Sequence, residues 1–239
     1  MELRDIDVQY DVRADSGGKD PDGYSRTLKE YHRLLWSKPL PNGEVMQLVI
    51  DKNTLRWNEF WFGCDSITAS FLHWRFPLKE QVEQSIPNFP EFKESYWHRT
   101  YTIGGSIIFP LQKWSINQAR GCSMRICDRW DLTLECIRRF YKGEFTPLDK
   151  ALGKSRKFFD LFVDFRGYVE FFLLQDCVDD NYNVKYWLDT PLFQTMPMPK
   201  TMEEYKCWIE SQLDFVSKRN DRIHKFCLES KGSNMYGMG

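Results

Sequence analysis

VMQLVIDKNTLRWNEFWF, residues 45–62, decides the fold class. Two apolar, β-branched and aromatic runs, Val45–Ile50 and Leu55–Phe62, flank the turn-forming Asp51-Lys52-Asn53. That pattern predicts a β-hairpin. Upstream, Ser25 caps a predicted helix to Trp36, with Leu28, Tyr31, His32 and Leu35 on one face. Pro39, Pro41, Asn42 and Gly43 then end it. Helix followed by hairpin indicates an α+β chain.

Further out, Tyr101–Phe109 (YTIGGSIIF) reads as β-rich, with Gly104-Gly105 marking a bulge or a close backbone approach. A short helix is expected from Asp65 or Ser66, carrying Phe71 and Trp74, and another over Leu78–Ile86, closed by Pro87 and Pro90. Asp128–Tyr141 is the clearest helical pattern, with Leu132, Leu134, Ile137 and Phe140 apolar and Gly143 behind it. Residues 155–178 place Phe158, Phe162, Phe165, Val169 and Phe172 at helical spacing, which predicts a helix that kinks or restarts at Gly167. Val184–Leu188 suits a strand. Thr201 and Glu204 form a capping-box pattern for a long helix to Leu228. The expected architecture is therefore one α+β domain over 25–230. A small antiparallel sheet lies in the N-terminal half, packed with helices, and the C-terminal half is more helical. An irregular arm (1–24) and a flexible tail (231–239) flank the domain.

Composition restricts the function classes. The 239 residues are 42% hydrophobic and 16% aromatic, with 9 Trp, 11 Tyr and 18 Phe, so a large core forms without disulfides. A net charge of -1 provides no global attraction to nucleic acid or to acidic membranes. The charged opening Met1-Glu2-Leu3-Arg4-Asp5 lacks the apolar stretch of a signal peptide, and no apolar run reaches the ~18 residues of a membrane span. Seven scattered cysteines without a Cys-x-x-Cys pair predict reduced thiols. A cytoplasmic location without membrane contact is expected.

Several segments resemble a bacterial family of hypothetical proteins classed as a domain of unknown function. They are YHRLLWSKPLP (31–41), IGGSIIFP (103–110), INQARG (116–121), DRWDLTLECIRR (128–139) and FFLLQD (171–176). The likeness covers roughly residues 18–226. It implies a single-domain extent and a bacterial or phage origin, and it carries no activity.

The strongest chemical signal runs from Lys113 to Lys142. Lys113, Arg120, Arg125, Arg129, Arg138, Arg139 and Lys142 outnumber Asp128, Asp131 and Glu135. Arginine's planar fork suits phosphate or carboxylate. The three acids are spaced i, i+3, i+7, on one face of a continuous helix, and Asn117, Gln118, Arg120 and Gly121 are expected in a polar loop that feeds it. The functional expectation is a cleft binding or processing a phosphate-bearing ligand, a nucleotide or nucleic-acid end. Asn117, Gln118, Arg120, Arg125, Arg129, Arg139, Gln175 and Asp176 would bind the ligand, and Asp128, Asp131 and Glu135 would do acid–base or metal work. The same residues also make a plain scaffold, with Asp128 capping the helix and Glu135 pairing with Arg138 or Arg139. The chain would then be a non-catalytic interaction or accessory protein of a mobile element or defence system.

The acids Glu170, Asp176, Asp179, Asp180 and Asp189 suit Mg²⁺ or a solvated loop. Glu91-Phe92-Lys93 has the Glu-x-Lys form of Mg-dependent nucleases, with Asp65 upstream as a metal ligand. The tryptophans interleaved with arginines in the first half suit base stacking or an ordinary core.

Overall fold

Leu55 and Trp57 are buried on either side of exposed Arg56, the period-2 pattern of a strand with one face on the core. In a computed structural model, described over residues 1–68 and 76–230, this strand is the second of four. β1 (Val49–Asp51), β2 (Thr54–Trp57), β3 (Phe60–Ser66) and β4 (Ser106–Pro110) form one antiparallel sheet in that order. Leu55 faces Phe62 across β2–β3, and Cys64 faces Ile108 across β3–β4.

The expected hairpin is thus two hairpins. Lys52 (φ 55°) and Asn58 (φ 50°) each open a two-residue turn at positive φ, as mirror-image hairpin turns require. Asn58 tolerates that conformation and splits the second predicted strand. The first strand begins only at Val49, because Met46 N donates to Lys38 O and Val45 makes a lone bridge to Pro39.

Ten helices accompany the sheet among the described residues: α1 (Pro21–Tyr24), α2 (Arg26–Trp36), α3 (Lys79–Ser85), α4 (Phe89–Thr100), α5 (Ile116–Cys122), α6 (Trp130–Tyr141), α7 (Asp149–Lys154), α8 (Arg156–Asp160), α9 (Phe165–Phe171) and α10 (Met202–Glu229). Two caps expected from sequence are present. Ser25 Oγ accepts from Leu28 N at 3.0 Å, and Thr201 Oγ1 accepts from Glu204 N at 3.1 Å. The Glu204 carboxylate accepts from Lys200 N rather than closing on Thr201.

Five expectations need correction. Pro90 occupies the first turn of α4, where a missing N–H costs nothing, so it opens a helix there instead of excluding one. Asn117, Gln118, Arg120 and Gly121 lie on α5, capped by Ser115, rather than in a loop. The segment 155–178 breaks at Val163 (φ 69°) and Asp164, whose carboxylate caps α9 by accepting from Gly167 N at 2.7 Å. Gly167 is therefore inside α9, where a Cβ would collide with Phe162 O. Val184 makes one bridge, to Val178, and no strand. Asp65 and Ser66 end β3; Phe71, Trp74 and the tail 231–239 lie outside the described residues.

The core joins the C-terminal half to the sheet through rings. Phe158, Phe162, Tyr168 and Phe172 pack with centroids 5.0–6.3 Å apart, and Trp36 meets Phe172 at 5.2 Å. Ile6, Val8 and Val12 of the first segment are buried in the same core. Arg219 of α10 is fully buried and bonded to carbonyls, donating to Gly104 O, Ser106 O and Phe172 O at 2.7–3.1 Å. Burial pulls its pKa down to about 10. No helix among the described residues is long and apolar enough to cross a membrane.

Candidate functional site

Arg120 projects from α5 beneath the end of β3 and is fully buried. A buried guanidinium needs an acceptor for each donor, and the fold supplies them from three elements. Nη1 donates to Asp65 Oδ2 at 2.7 Å and Ser66 O at 2.9 Å, Nη2 to Asp128 O at 2.8 Å, and Nε to Thr133 Oγ1 at 3.2 Å. Asp128 Oδ1 lies 3.3 Å from Nη1. Cys127 and Asp128 both adopt positive φ (47° and 60°), so the chain enters α6 through a left-handed turn that puts Asp128 against Arg120. Paired left-handed non-glycine residues are strained and held by their surroundings.

A third carboxylate arrives from α1. Asp20 caps that helix by accepting from Asp22 N at 3.2 Å, and Asp22 Oδ2 accepts from Ser66 N at 3.0 Å. Asp22, Asp65 and Asp128 line a cavity of about 160 Å³ with Ser66, Thr68, Tyr96, Thr100 and Tyr101. Asp22 also lines a second cavity, of about 280 Å³, with Asp20, Lys29 and Asn53.

The electrostatics separate the two central acids. Burial pushes Asp22 up to about 8, and the charges of Asp65 and Asp20 add to it. Burial also pushes Asp65 up to about 6; Arg120 pulls it down while Asp128 pushes it up. Near neutrality Asp22 holds its proton and Asp65 has lost its own. Arg120 stays charged because Asp128 and Asp65 outweigh its burial.

The remaining expected site residues disperse. Arg129 forks onto Asp131 in the interior and donates to Pro197 O, while Asp131 Oδ2 also accepts from Trp187 N at 3.0 Å. Glu135 accepts from Arg138 and Arg139 at 2.7–2.8 Å. Burial opposes its ionisation, but those two guanidiniums hold its carboxyl below the usual range. Asp128 precedes α6, so Asp128, Asp131 and Glu135 do not share one helix face as the i, i+3, i+7 spacing suggested. Asn117 Nδ2 donates to Cys64 O at 3.3 Å, whereas the Gln118 and Arg125 side chains are exposed. Asp176 accepts both forks of Arg222 at 2.9 Å, and neighbouring Gln175 Oε1 is buried without a partner. Glu91 bonds Asn88 on α4. No group of three or more His, Cys, Asp or Glu gathers at metal-holding spacing among the described residues.

The structure thus joins Arg120 to Asp128 and adds Asp22 and Asp65. Asp22 lies in a stretch read as an irregular arm, although Asp20 followed by Pro21 is a legible helix start. Its approach to Ser66, 44 residues on, leaves no local trace.

Residues 6–223 match a family model described as a family of unknown function (DUF6994). No curated protein and no solved structure matches the chain.

Proposed function

We propose, on the premise that the chain belongs to this family of unknown function and takes no chemistry from it, that the Arg120 cleft binds a small polar molecule and exchanges protons with it. Asp22 gives a proton and Asp65 takes one. The carrying observation is the pair of neighbouring carboxyls held at different protonation near neutrality, about 8 and about 6. Environments that push two titratable groups apart mark acid–base assignments. Arg120 acts as a positioning residue, with its donors directed at Asp65, Asp128, Ser66 and Thr133. Carboxylates outnumber the one guanidinium, so a hydroxylated or amine-bearing ligand suits the cleft better than a phosphate. A thermal-shift panel of small polyols, amines and phosphates tests this. A bound ligand at a hundredfold excess over its Kd stabilises by about 2.7 kcal/mol. The rise is expected with a polyol or amine and should vanish in Asp65→Asn; a panel that leaves the melt unmoved contradicts the reading.

A second reading keeps the phosphate-bearing ligand, a nucleotide or nucleic-acid end, at a different place. A cavity of about 280 Å³ is lined by Arg138, Lys142 and Arg166 with Asn181 and Asn183. Arg138 and Arg166 are already paired with Glu135 and Glu170, which leaves Lys142 to supply most of the attraction. A melt raised by phosphates and abolished by Lys142→Ala supports this reading over the first. A cytosolic setting is the environment we assign, in keeping with seven free thiols.

A further inference from the structure

Lys38 lies just beyond α2, its N–H on Trp36 O at 2.9 Å and its carbonyl accepting from Met46 N at 3.1 Å. The backbone is thereby fixed on both sides and aims the side chain among rings. Nζ sits 5.0 Å from the Trp36 ring centre and 4.6 Å from those of Phe171 and Phe226. An ammonium carries three donors, yet among the described residues this one makes no hydrogen bond or ion pair. Glu229, which lines the same cavity as Lys38, faces Lys225 at 3.7 Å.

Lys38 also borders open space. A cavity of about 570 Å³ is lined by Lys38, Leu3, Leu34, Pro39, Phe226 and Glu229, with apolar side chains making most of its wall. We infer that Lys38 is a reactive amine that forms an imine with an apolar carbonyl compound held in this cavity. The neutral amine attacks the carbonyl carbon and a C–N bond forms. The carbonyl oxygen takes one proton from the amine and one from solvent and leaves as water, so nitrogen ends as an iminium and no oxidant or reductant is needed. The iminium that results is a cation, and the faces of Trp36, Phe171 and Phe226 favour it as they favour an ammonium.

Burial supplies the neutral amine, against the preference of the rings for a cation. Burial pushes Lys38 down to about 7, Arg219 adds to that, and the Cys227 thiol, itself pushed up to about 11 by burial, opposes it weakly. Against an ordinary lysine near 10.4, the share of neutral amine at pH 7 is raised roughly a thousandfold.

The test uses the intact chain at pH 7 with less than one equivalent of cinnamaldehyde, an apolar aldehyde, and cyanoborohydride to trap imines. Peptide mass spectrometry then compares Lys38 with Lys157, whose side chain is 84% exposed. Lys38 should label at least about tenfold faster, with a rate that rises through a midpoint near pH 7. Glyoxylate, a polar aldehyde, should show no such preference. Lys38→Arg should lose this adduct alone. Labelling of Lys38 no faster than Lys157 overturns the proposal, and an equal preference for glyoxylate overturns its apolar ligand class. Both outcomes are read on the unaltered protein, so neither depends on a variant that folds.

Discussion

Arg120 Nη1 meets Asp65 Oδ2 at 2.7 Å although the two lie 55 residues apart in the chain. This one bond ties α5 to the end of β3, beside the acidic cleft that Asp65 lines. Because Arg120 is fully buried and Asp65 is only partly reached by water, the pair is closer to an interior ion pair than to a surface one.

Removing the cation should therefore be costly. Arg120→Met leaves Asp65 and Asp128 facing each other without their counter-charge, and a loss of about 3 kcal/mol is expected in chemical denaturation. Adding Asp65→Leu should recover part of it, since two apolar groups replace an unpaired charge. A loss below about 0.5 kcal/mol in the single variant, the level of an exposed pair, contradicts this description.

The pH dependence has a definite sign. The folded pKa of Asp22 is raised from 3.8 to about 8, so between these values the folded protein binds more protons than the unfolded chain. This stabilising contribution is complete below about pH 4 and is lost as pH rises through about 8. Asp22→Asn should consequently gain stability over the wild type as the solution is taken from pH 4 to pH 8. Denaturation midpoints that differ by the same amount at every pH refute it.

His32 gives an independent check on the interior. Trp36 Nε1 donates to His32 Nδ1 at 2.8 Å; an indole N–H only donates, so Nε2 carries the proton and faces Ser106 Oγ at 3.0 Å. Burial, with Arg219 and Lys29 nearby, pushes this imidazole down to about 3. Nitrogen-detected NMR should show the Nε2–H tautomer unchanged from pH 8 to pH 5, whereas a transition near 6.5 contradicts the burial. A depressed folded pKa also means that stability present above about 6.5 is lost as pH falls toward 3.

Elements with their own end signals were legible in the sequence. Ser25 and Thr201 cap α2 and α10 where their side chains predict, and the Gly104-Gly105 step is a close approach: Gly104 N donates to Asn220 Oδ1 at 2.8 Å, and a Cβ on Gly105 would strike Thr100 O. The Asn58 turn and the proline-initiated α4 were misread, and the break at Asp164 was placed at Gly167, because each residue type serves two opposite purposes, ending one element or starting another. Arg120 was recognisable by its neighbours, and so was the Glu135 pairing with Arg138 and Arg139. Its partner Asp65 and the neighbouring Asp22 were not, since they come from β3 and α1, far away in the chain, and only the folded sheet brings them together. Asp131 shows the converse: helical spacing aligned it with Asp128, while the left-handed turn at Cys127 and Asp128 sends the two into separate surroundings.

The cap of α9 offers a local test. Asp164→Ala removes the acceptor for Gly167 N and should cost about 1 kcal/mol in thermal or chemical denaturation. Asp164→Asn, which keeps a capping oxygen, should cost much less. Equal losses in both variants contradict the capping role.

The split between the two cleft carboxyls is tested most directly by carbon-detected NMR titration of the aspartate side chains. Asp22 should titrate near 8 and Asp65 near 6, with both transitions shifted in Arg120→Met. If both carboxyls instead titrate together near 4, as free aspartates do, the cleft holds no acid–base pair at neutral pH and the proposed proton exchange fails.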